Sequence, residues 1–325
     1  MKFTSSEIVG CGYYLPEHIL TNDDLSKMVD TSDEWIFSRT GIKQRHIAAD
    51  DELTSDLAVK AAERAINSSK ILPEDIDLVI VATITPDNTT PSVSCKVAQK
   101  LGLKNGTPAF DISAACSGFV YAMSIADSMI KNGLARNALL IGAETLSRII
   151  DWQDRNTCVL FGDGAGAFVL RGKESKDKLN SEIISSSIFA DGSKYDDLRT
   201  TGGVSSTKDA GILLMNGKEV FKIAVHSLAS GAQSVLEKAE MSISDVDWLL
   251  PHQANSRIIE ATGKMLEIRD EKIILSIGET GNTSAASIPL SFAQCVEEKK
   301  IKKGDVVLMT AMGAGFTWGA VLVRY

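Results

Sequence analysis

Three polar residues whose types can perform acyl chemistry follow stretches of apolar sequence. Cys116 comes soon after Asp111-Ile112, His252 follows Leu249-Leu250, and Asn282 lies in a glycine-containing turn. A cysteine thiolate is a strong nucleophile, and imidazole and carboxamide groups can donate hydrogen bonds to an oxygen that gains negative charge. A fold that brings the three together would therefore support covalent catalysis on a carbonyl or thioester substrate.

The position of Cys116 predicts a reactive sulfur. A helical pattern follows it directly, and the positive end of a helix favours the thiolate form. The neighbouring residues Ala114, Ala115, Ser117 and Gly118 are small and leave space for an incoming acyl group. The alternative is an inert buried thiol, which is how many free cysteines behave. That alternative is favoured for Cys11, Cys95, Cys158 and Cys295.

The elements that must position these residues occur twice along the chain. A helical stretch at residues 54–67 leads to a strand-like run at 76–81, and the same order recurs at 220–239 and 246–250. Later, strand-like runs at 108–112 and 273–277 lead into helical patterns at 118–130 and 285–297. Glycine turns at 162–166 and 313–315 each precede a short strand, at 167–170 and 319–323.

This repetition predicts a duplicated α/β fold, with halves at residues 1–172 and 173–325. Strands that alternate with helices favour largely parallel sheets covered by helices. Sites in such folds form beyond the carboxyl ends of strands. We therefore expect the first half to contribute the cysteine, and the second half to contribute the histidine and the asparagine.

Composition limits the classes of function. The 325 residues are 44% hydrophobic and 23% charged, as in a globular protein, and the net charge of −8 opposes nonspecific binding of nucleic acid. We find neither a secretory signal nor a long apolar span and expect a cytoplasmic protein without a membrane segment. Five scattered cysteines and four histidines predict neither disulfides nor a metal site.

Two glycine-rich segments do not predict nucleotide binding. Gly162-Asp163-Gly164-Ala165-Gly166 leads into a strand, whereas a dinucleotide-binding motif opens a helix. Gly10-Cys11-Gly12 continues without a third glycine. Both are interpreted as tight turns, and no cofactor is expected.

Ordered motifs run through nearly the whole chain. The most specific are Asp33-Glu34-Trp35-Ile36, Arg39-Thr40-Gly41-Ile42, Ala114-Ala115-Cys116-Ser117-Gly118-Phe119, Phe161-Gly162-Asp163-Gly164-Ala165-Gly166, His252-Gln253-Ala254-Asn255 and Gly281-Asn282-Thr283-Ser284. Together they resemble the β-ketoacyl-acyl-carrier-protein synthase III family of the thiolase superfamily. The resemblance implies a homodimer of five-layered α-β-α-β-α subunits that starts type II fatty-acid synthesis.

The same resemblance implies roles for individual residues. Acyl-coenzyme A, a substrate and not a cofactor, would acylate Cys116, and malonyl-acyl carrier protein would then lose carbon dioxide and attack the acyl group. His252 and Asn282 would stabilise the enolate, and the backbone N–H groups of Cys116 and Ala314 would hold the other oxyanion. Coenzyme A would contact Thr31, Trp35, Arg39, Arg155, Phe221 and Asn255. The carrier protein would contact Gln253, Ala254, Asn255, Ser256 and Arg257.

Two departures from the family pattern concern the acyl pocket. Thr90 stands where some members have a phenylalanine that lines the pocket across the dimer, and Met312 stands where others have phenylalanine. Because this lining is smaller or more adaptable, we expect primers beyond acetyl to be accepted.

Several alternatives have other requirements. A degradative thiolase needs a second catalytic cysteine and a hydroxymethylglutaryl-type synthase a catalytic glutamate. A Cys-His-Asn hydrolase carries its own cysteine signature. A ketosynthase of secondary metabolism that acts on coenzyme A thioesters, and a non-catalytic acyl-binding scaffold, remain alternatives to be separated by assay.

Overall fold

The computed structural model describes residues 3–174 and 181–325, which form two main sheets, two small hairpin-like pairs and the helices around them. The strands are β1 (Ser5–Tyr14), β2 (His18–Thr21), β3 (Gln44–Ile47), β4 (Leu78–Ala82), β5 (Ala109–Ile112), β6 (Asn137–Glu144), β7 (Gly164–Lys173), β8 (Glu182–Ala190), β9 (Leu198–Thr200), β10 (Leu213–Met215), β11 (Trp248–Pro251), β12 (Val306–Gly313) and β13 (Thr317–Arg324). The α-helices are α1 (Asn22–Leu25), α2 (Asp33–Thr40), α3 (Thr54–Ser69), α4 (Val93–Lys100), α5 (Gly118–Lys131), α6 (Gly217–Lys238), α7 (Ser256–Met265), α8 (Ile277–Thr280) and α9 (Ser287–Glu297).

The two main sheets repeat one strand order. The first runs β1-β7-β6-β4-β5 and the second runs β8-β13-β12-β11. The four strands of the second sheet thus correspond, in order, to the first four strands of the first sheet. Both sheets are mixed, which corrects the prediction of largely parallel sheets. The pairs β4–β5, β4–β6 and β11–β12 are parallel, whereas β6–β7 and β12–β13 are antiparallel. The antiparallel pairs arise because no crossover helix separates their strands.

Helices and sheets stack in five layers. Helices α3 and α4 cover the outer face of the first sheet, α5 and α9 lie between the sheets, and α6 covers the outer face of the second sheet. The order is therefore α-β-α-β-α, as expected from the family resemblance.

The apolar strands are continuous because both of their faces are buried. Along β4, Leu78 and Ile80 pack into the central layer, while Val79 and Val81 pack beneath α3. Such two-sided burial removes the need for alternating polar residues. In the central layer, Phe168 makes edge-on contacts with Phe119 and Phe292, with ring centroids 5.0 and 4.9 Å apart. The central layer thus fixes the two sheets relative to each other.

The predicted strand at residues 273–277 is wrong. A single parallel bridge joins Ile273 to Leu249, and the chain then leaves the sheet. The backbone N–H groups of Ser276 and Ile277 donate to Oε1 of Gln253 at 2.8 and 3.1 Å, and α8 begins. A side-chain amide here replaces the neighbouring strand as hydrogen-bond acceptor, which periodicity alone does not reveal.

Strands of the first main sheet lie within residues 5–173 and those of the second within 182–324. The halves share the central helix layer, so a boundary between residues 172 and 173 stays a prediction. Residues 1–2 and 175–180 of the two predicted halves lie outside the described part. Among the described helices, none has the length and apolar character that crossing a bilayer requires.

Candidate active site

A deep pocket between the two halves is lined by all three residues predicted to be catalytic. Cys116, His252 and Asn282 share this pocket with Ala314, and its cavity volume is about 240 Å³. Its other walls are mostly apolar side chains from both halves and from the β9–β10 pair. The fold therefore brings together residues that are far apart in sequence.

Cys116 lies in a tight turn, Ala115–Ser117, directly before α5. The turn requires Ala115 to adopt a left-handed conformation, φ 47°, which is uncommon for a residue other than glycine. Burial raises the pKa of the Cys116 thiol to about 12, with a smaller opposing effect from the Ser284 hydroxyl. Burial thus opposes the effect of the helix end, which the sequence predicts to favour the thiolate.

His252 is a neutral hydrogen-bond donor at the wall of the pocket. It follows β11, and burial lowers its pKa to about 3. Its Nδ1 is 2.6 Å from Oγ of Ser287, which also accepts a bond from the backbone N–H of Gln253 at 3.3 Å. We assign the Ser287 hydroxyl proton to the bond with Nδ1, the tautomer that places the imidazole proton on Nε2. This Nε2–H makes no hydrogen bond within the described residues.

Asn282 is held by backbone bonds on both sides. Its N–H donates to the carbonyl of Leu160 at 2.8 Å, and its carbonyl accepts from Gly162 at 3.0 Å. Its Oδ1 accepts from the N–H of Ser284 at 2.9 Å, which orients Nδ2 the other way. Gly281, with φ 64°, allows the tight approach. Nδ2 has no partner in the described part of the chain, so the site presents a second uncommitted donor.

Arg45 supports this arrangement and was not predicted from the sequence. Its side chain is fully buried, and it donates to the carbonyl of Val159 at 2.7 Å and to Oδ1 of Asn22 at 2.9 Å. The segment it holds pairs with Asn282 through the Phe161–Asn282 bridge. Nothing in the polar stretch around Arg45 distinguishes it from a surface residue.

Cys116 and Ala314, whose backbone N–H groups are predicted to hold an oxyanion, both line the pocket. A Cβ atom at Gly313 would be 2.6 Å from the nitrogen of Cys116, so only glycine fits this approach. Neither N–H donates to another residue in the parts of the chain that are described. Their role as oxyanion donors stays a prediction.

The predicted coenzyme A residues divide into two groups. Trp35, Arg39, Phe221 and Asn255 line the pocket. The guanidinium groups of Arg39 and Arg155 lie 4.6 and 5.0 Å from the centre of the Trp35 ring. Arg155 and Thr31 lie outside the lining, with Arg155 bound to the carbonyl of Asp30 at 2.9 Å.

The segment predicted to bind a carrier protein is only partly at the surface. Gln253 is completely buried and donates to the carbonyl groups of Pro251 and Ile274, so its assignment as a contact residue is corrected to a supporting one. Ala254, Asn255 and Ser256 are partly exposed, and Arg257 is exposed beside Phe221.

The two acyl-pocket predictions also differ in outcome. Met312 is buried and lines the pocket, whereas Thr90 is exposed in the single chain and does not line it. Thr90 would reach an acyl group only from a second subunit.

Two further residues near Cys116 were missed. Glu144 ends the buried strand β6, and Ser284 begins the turn after Asn282. Glu144 could have been predicted from the sequence, because it is an acidic residue at the end of an apolar strand. Ser284 carried no distinguishing signal among the small residues around it.

Models of known families match both halves of the chain. Residues 110–192 match 3-oxoacyl-acyl-carrier-protein (ACP) synthase III, and residues 236–325 match the C-terminal part of the same synthase. The chain is 53% identical over 320 residues to a β-ketoacyl-acyl-carrier-protein synthase III of Rhodospirillum centenum, with 98% of this chain and 99% of the relative covered.

Solved structures agree over the same length. A 3-oxoacyl-acyl-carrier-protein synthase III from Aquifex aeolicus is 50% identical with a TM-score of 0.92, covering 98% of this chain and 100% of that one. The priming β-ketosynthase of the R1128 polyketide pathway is 34% identical with a TM-score of 0.91, covering 99% and 97%. From its site, its fold and these relatives, the chain belongs to the β-ketoacyl-acyl-carrier-protein synthase III family.

Proposed function

We propose that this acyltransferase condenses an acyl-coenzyme A primer with malonyl-acyl carrier protein and so starts fatty-acid chains. One observation carries the proposal: two uncommitted donors, Nε2 of His252 and Nδ2 of Asn282, line the pocket that contains Cys116. A nucleophile beside a pair of neutral donors suits acyl transfer followed by stabilisation of an enolate.

In the first half-reaction, the sulfur of Cys116 attacks the thioester carbonyl of acyl-coenzyme A. The thiol proton ends on the departing coenzyme A, so the products are an acyl-cysteine and free coenzyme A. The N–H groups of Cys116 and Ala314 hold the oxyanion of the tetrahedral intermediate. Because burial raises the thiol pKa to about 12, deprotonation accompanies attack in this account.

In the second half-reaction, the malonyl thioester oxygen accepts hydrogen bonds from His252 and Asn282. Its carboxylate leaves as carbon dioxide, and the enolate carbon attacks the acyl-cysteine carbonyl. Collapse of the intermediate releases 3-oxoacyl-acyl carrier protein and the sulfur, which takes up one proton. The low pKa of His252 suits this role, because a neutral imidazole donates without protonating the enolate oxygen fully.

Both substrates would reach the site through the mouth near Trp35. We assign Trp35, Arg39 and Arg155 to the nucleotide end of coenzyme A, with Thr31 beside it, and Phe221 and Asn255 to its pantetheine arm. Exposed Arg257 supports docking of an acidic carrier, since opposite charges steer association. These substrates are cytoplasmic molecules, so we place the reaction there.

A homodimer is part of the proposal. Strand β5 pairs only with β4 among the described strands, and its residues are partly exposed along the whole strand. An open edge of this kind is a template for pairing with a second copy. A dimer through this edge would also allow Thr90 to approach the neighbouring site. Light scattering should give twice the mass of the chain.

The defining assay supplies acetyl-coenzyme A with either malonyl-acyl carrier protein or malonyl-coenzyme A. We expect release of carbon dioxide and 3-oxoacyl product with the carrier-bound donor. Preference for malonyl-coenzyme A would instead support the alternative, a secondary-metabolic ketosynthase. Comparing acetyl-, isobutyryl- and octanoyl-coenzyme A tests the primer range. Strict preference for acetyl would refute the expectation based on Thr90 and Met312.

A further inference from the structure

Glu144 carries an unexplained buried carboxyl group next to the active site. One oxygen, Oε2, accepts from Oγ1 of Thr85 at 2.7 Å and from Oγ1 of Thr83 and the N–H of Ile84, both at 3.1 Å. The other oxygen, Oε1, is buried without a hydrogen-bond partner. Buried polar atoms are normally paired, so an orphaned carboxyl oxygen beside a catalytic turn requires an explanation.

Ser284 lies near both this carboxyl group and Cys116. Its hydroxyl is also buried without a partner at hydrogen-bonding geometry. The turn that it begins packs against β6, where a Cβ at Gly142 would collide with the carbonyl of Ala285. The hydroxyl is close enough to both groups to lower the pKa of Glu144 and the pKa of Cys116. Two buried oxygens without a partner, one on Glu144 and one on Ser284, therefore lie near the sulfur.

The surroundings of Glu144 allow its carboxyl group to be either protonated or ionised near neutral pH. No lysine or arginine in the described residues forms an ion pair with it. Burial raises its pKa to about 7, against the opposing effect of its three hydrogen-bond donors and of the nearby Ser284 hydroxyl. On the adjoining elements, His252 is neutral, and the Asp163 carboxylate accepts from Ser147 and Ala48. Cys116 is the group whose pKa an ionised Glu144 raises.

We propose that Glu144 is a positioning residue that acts through Ser284 to control the reactivity of Cys116. When protonated, the carboxyl group donates to Oγ of Ser284, whose own proton can then bond the sulfur and favour its anion. When ionised, it accepts the Ser284 proton instead, and its charge opposes the thiolate. The proposal rests on Cys116 as the nucleophile of the proposed function. It changes only hydrogen bonds and protonation.

The pH dependence of Cys116 alkylation by iodoacetamide tests this directly. Peptide mass spectrometry follows the rate of alkylation at Cys116. In the native protein, the logarithm of the rate should rise less steeply above about pH 7, where Glu144 ionises. In Glu144→Gln the amide stays neutral, so the slope should stay constant. Above that pH the variant should react faster, about tenfold per unit by which the thiol pKa falls.

Two further variants keep the test decisive if Glu144→Gln does not fold. Thr85→Val removes a donor to the carboxylate and should move the change of slope to higher pH. Ser284→Ala should slow alkylation below pH 7 because the sulfur loses its donor. Superimposable Cys116 profiles for the native protein and the folded variants would overturn the proposal. Failure of the proposed function is seen separately, as an acyl adduct that persists in Cys116→Ala.

Discussion

The two halves of the molecule build the same turn and use it for different chemistry. In the first half, Ala115 precedes Cys116 with φ 47°, and in the second, Ser284 precedes Ala285 with φ 50°. Each turn opens a central helix, α5 or α9. Non-glycine residues persist in this conformation where surrounding structure imposes it. Duplication therefore preserved the backbone, and substitution at matching positions made one turn nucleophilic and the other supportive.

The strands that end beside these turns show the same contrast. Strand β6 ends in Glu144 near the Ser284 turn, and β12 ends in Gly313 against the Cys116 turn. Glycine permits close approach of backbone to the nucleophile, whereas glutamate places a carboxyl group behind the other turn. The active site is therefore asymmetric even though its scaffold is repeated.

The largest loss of activity is expected when the nucleophile is removed. Cys116→Ala should reduce condensation by on the order of 10⁶-fold, the scale seen when a covalent catalyst loses its nucleophile. Ala285→Ser, the matched change in the other turn, should keep most of the activity. Condensation is measured as 3-oxoacyl-acyl carrier protein formed. Comparable losses in the two variants would contradict the assignment of roles to the halves.

The next test removes the donors of the second half. Asn282→Ala or His252→Ala should each slow decarboxylation of the malonyl donor by about 10²–10³-fold, because an oxyanion loses one hydrogen bond. Acylation of Cys116 uses other donors and should persist. Release of labelled carbon dioxide measures the effect. If acylation fell equally, the division of labour would be wrong.

Removing the support of Asn282 should have a smaller effect. Arg45→Met leaves the carbonyl of Val159 unpaired and should lower the free energy of unfolding by about 1–3 kcal/mol. Displacement of the Asn282 turn should reduce decarboxylation by up to about 10²-fold. Chemical denaturation and the carbon dioxide assay measure the two effects. Arg45→Lys, which keeps a cation, should recover part of both; no difference between the variants would count against positioning by hydrogen bonds.

The segment at residues 273–277, where a predicted strand is absent, can be tested through the stability of the protein. Gln253→Leu leaves the N–H groups of Ser276 and Ile277 without their acceptor and should cost about 1–3 kcal/mol of unfolding free energy. Thermal unfolding would show the loss. An unchanged melting temperature would mean that this side chain does not replace strand pairing.

The smallest effects are expected at Asp77 and Asp247, which directly precede strands β4 and β11 of the two main sheets. Asp77 accepts from the N–H groups of Arg136 and Asn137, whereas the exposed Asp247 accepts, among the described residues, from the N–H of Val306. Asp77→Asn should therefore destabilise the chain by about 1 kcal/mol, and Asp247→Asn by less. Denaturation midpoints compare them. A reversed order would show that the first-half bonds are not the stronger set.

Much of the fold could be predicted because its signals are local. Helix α3 and strand β4 follow from periodicity and continuous apolar sequence, and the repeat identified their partners in the second half. The strand at 273–277 failed because its hydrogen bonds go to Gln253, a residue distant in sequence. The antiparallel pairing of β7 failed because direction depends on the connection and not on strand composition.

The site was predictable where a residue type stood out from its surroundings. Cys116, His252 and Asn282 are polar residues that come after apolar stretches, and the family motifs supported their assignment as catalytic residues. The effect of burial on the Cys116 thiol could not be predicted from the sequence, because the degree of burial follows from the fold. Desolvation raises the pKa of the thiol, against the effect of the helix end. Arg45 and Ser284 act through contacts across the fold, which sequence spacing does not encode.

The most direct test of the account is the mass of the intact protein after exposure to acyl-coenzyme A. We expect one acyl adduct on the native chain, on Asn282→Ala and on His252→Ala, and none on Cys116→Ala. An adduct that survives in Cys116→Ala, or one that is absent whenever Asn282 or His252 is changed, would contradict the claim that the first half alone carries the acyl group.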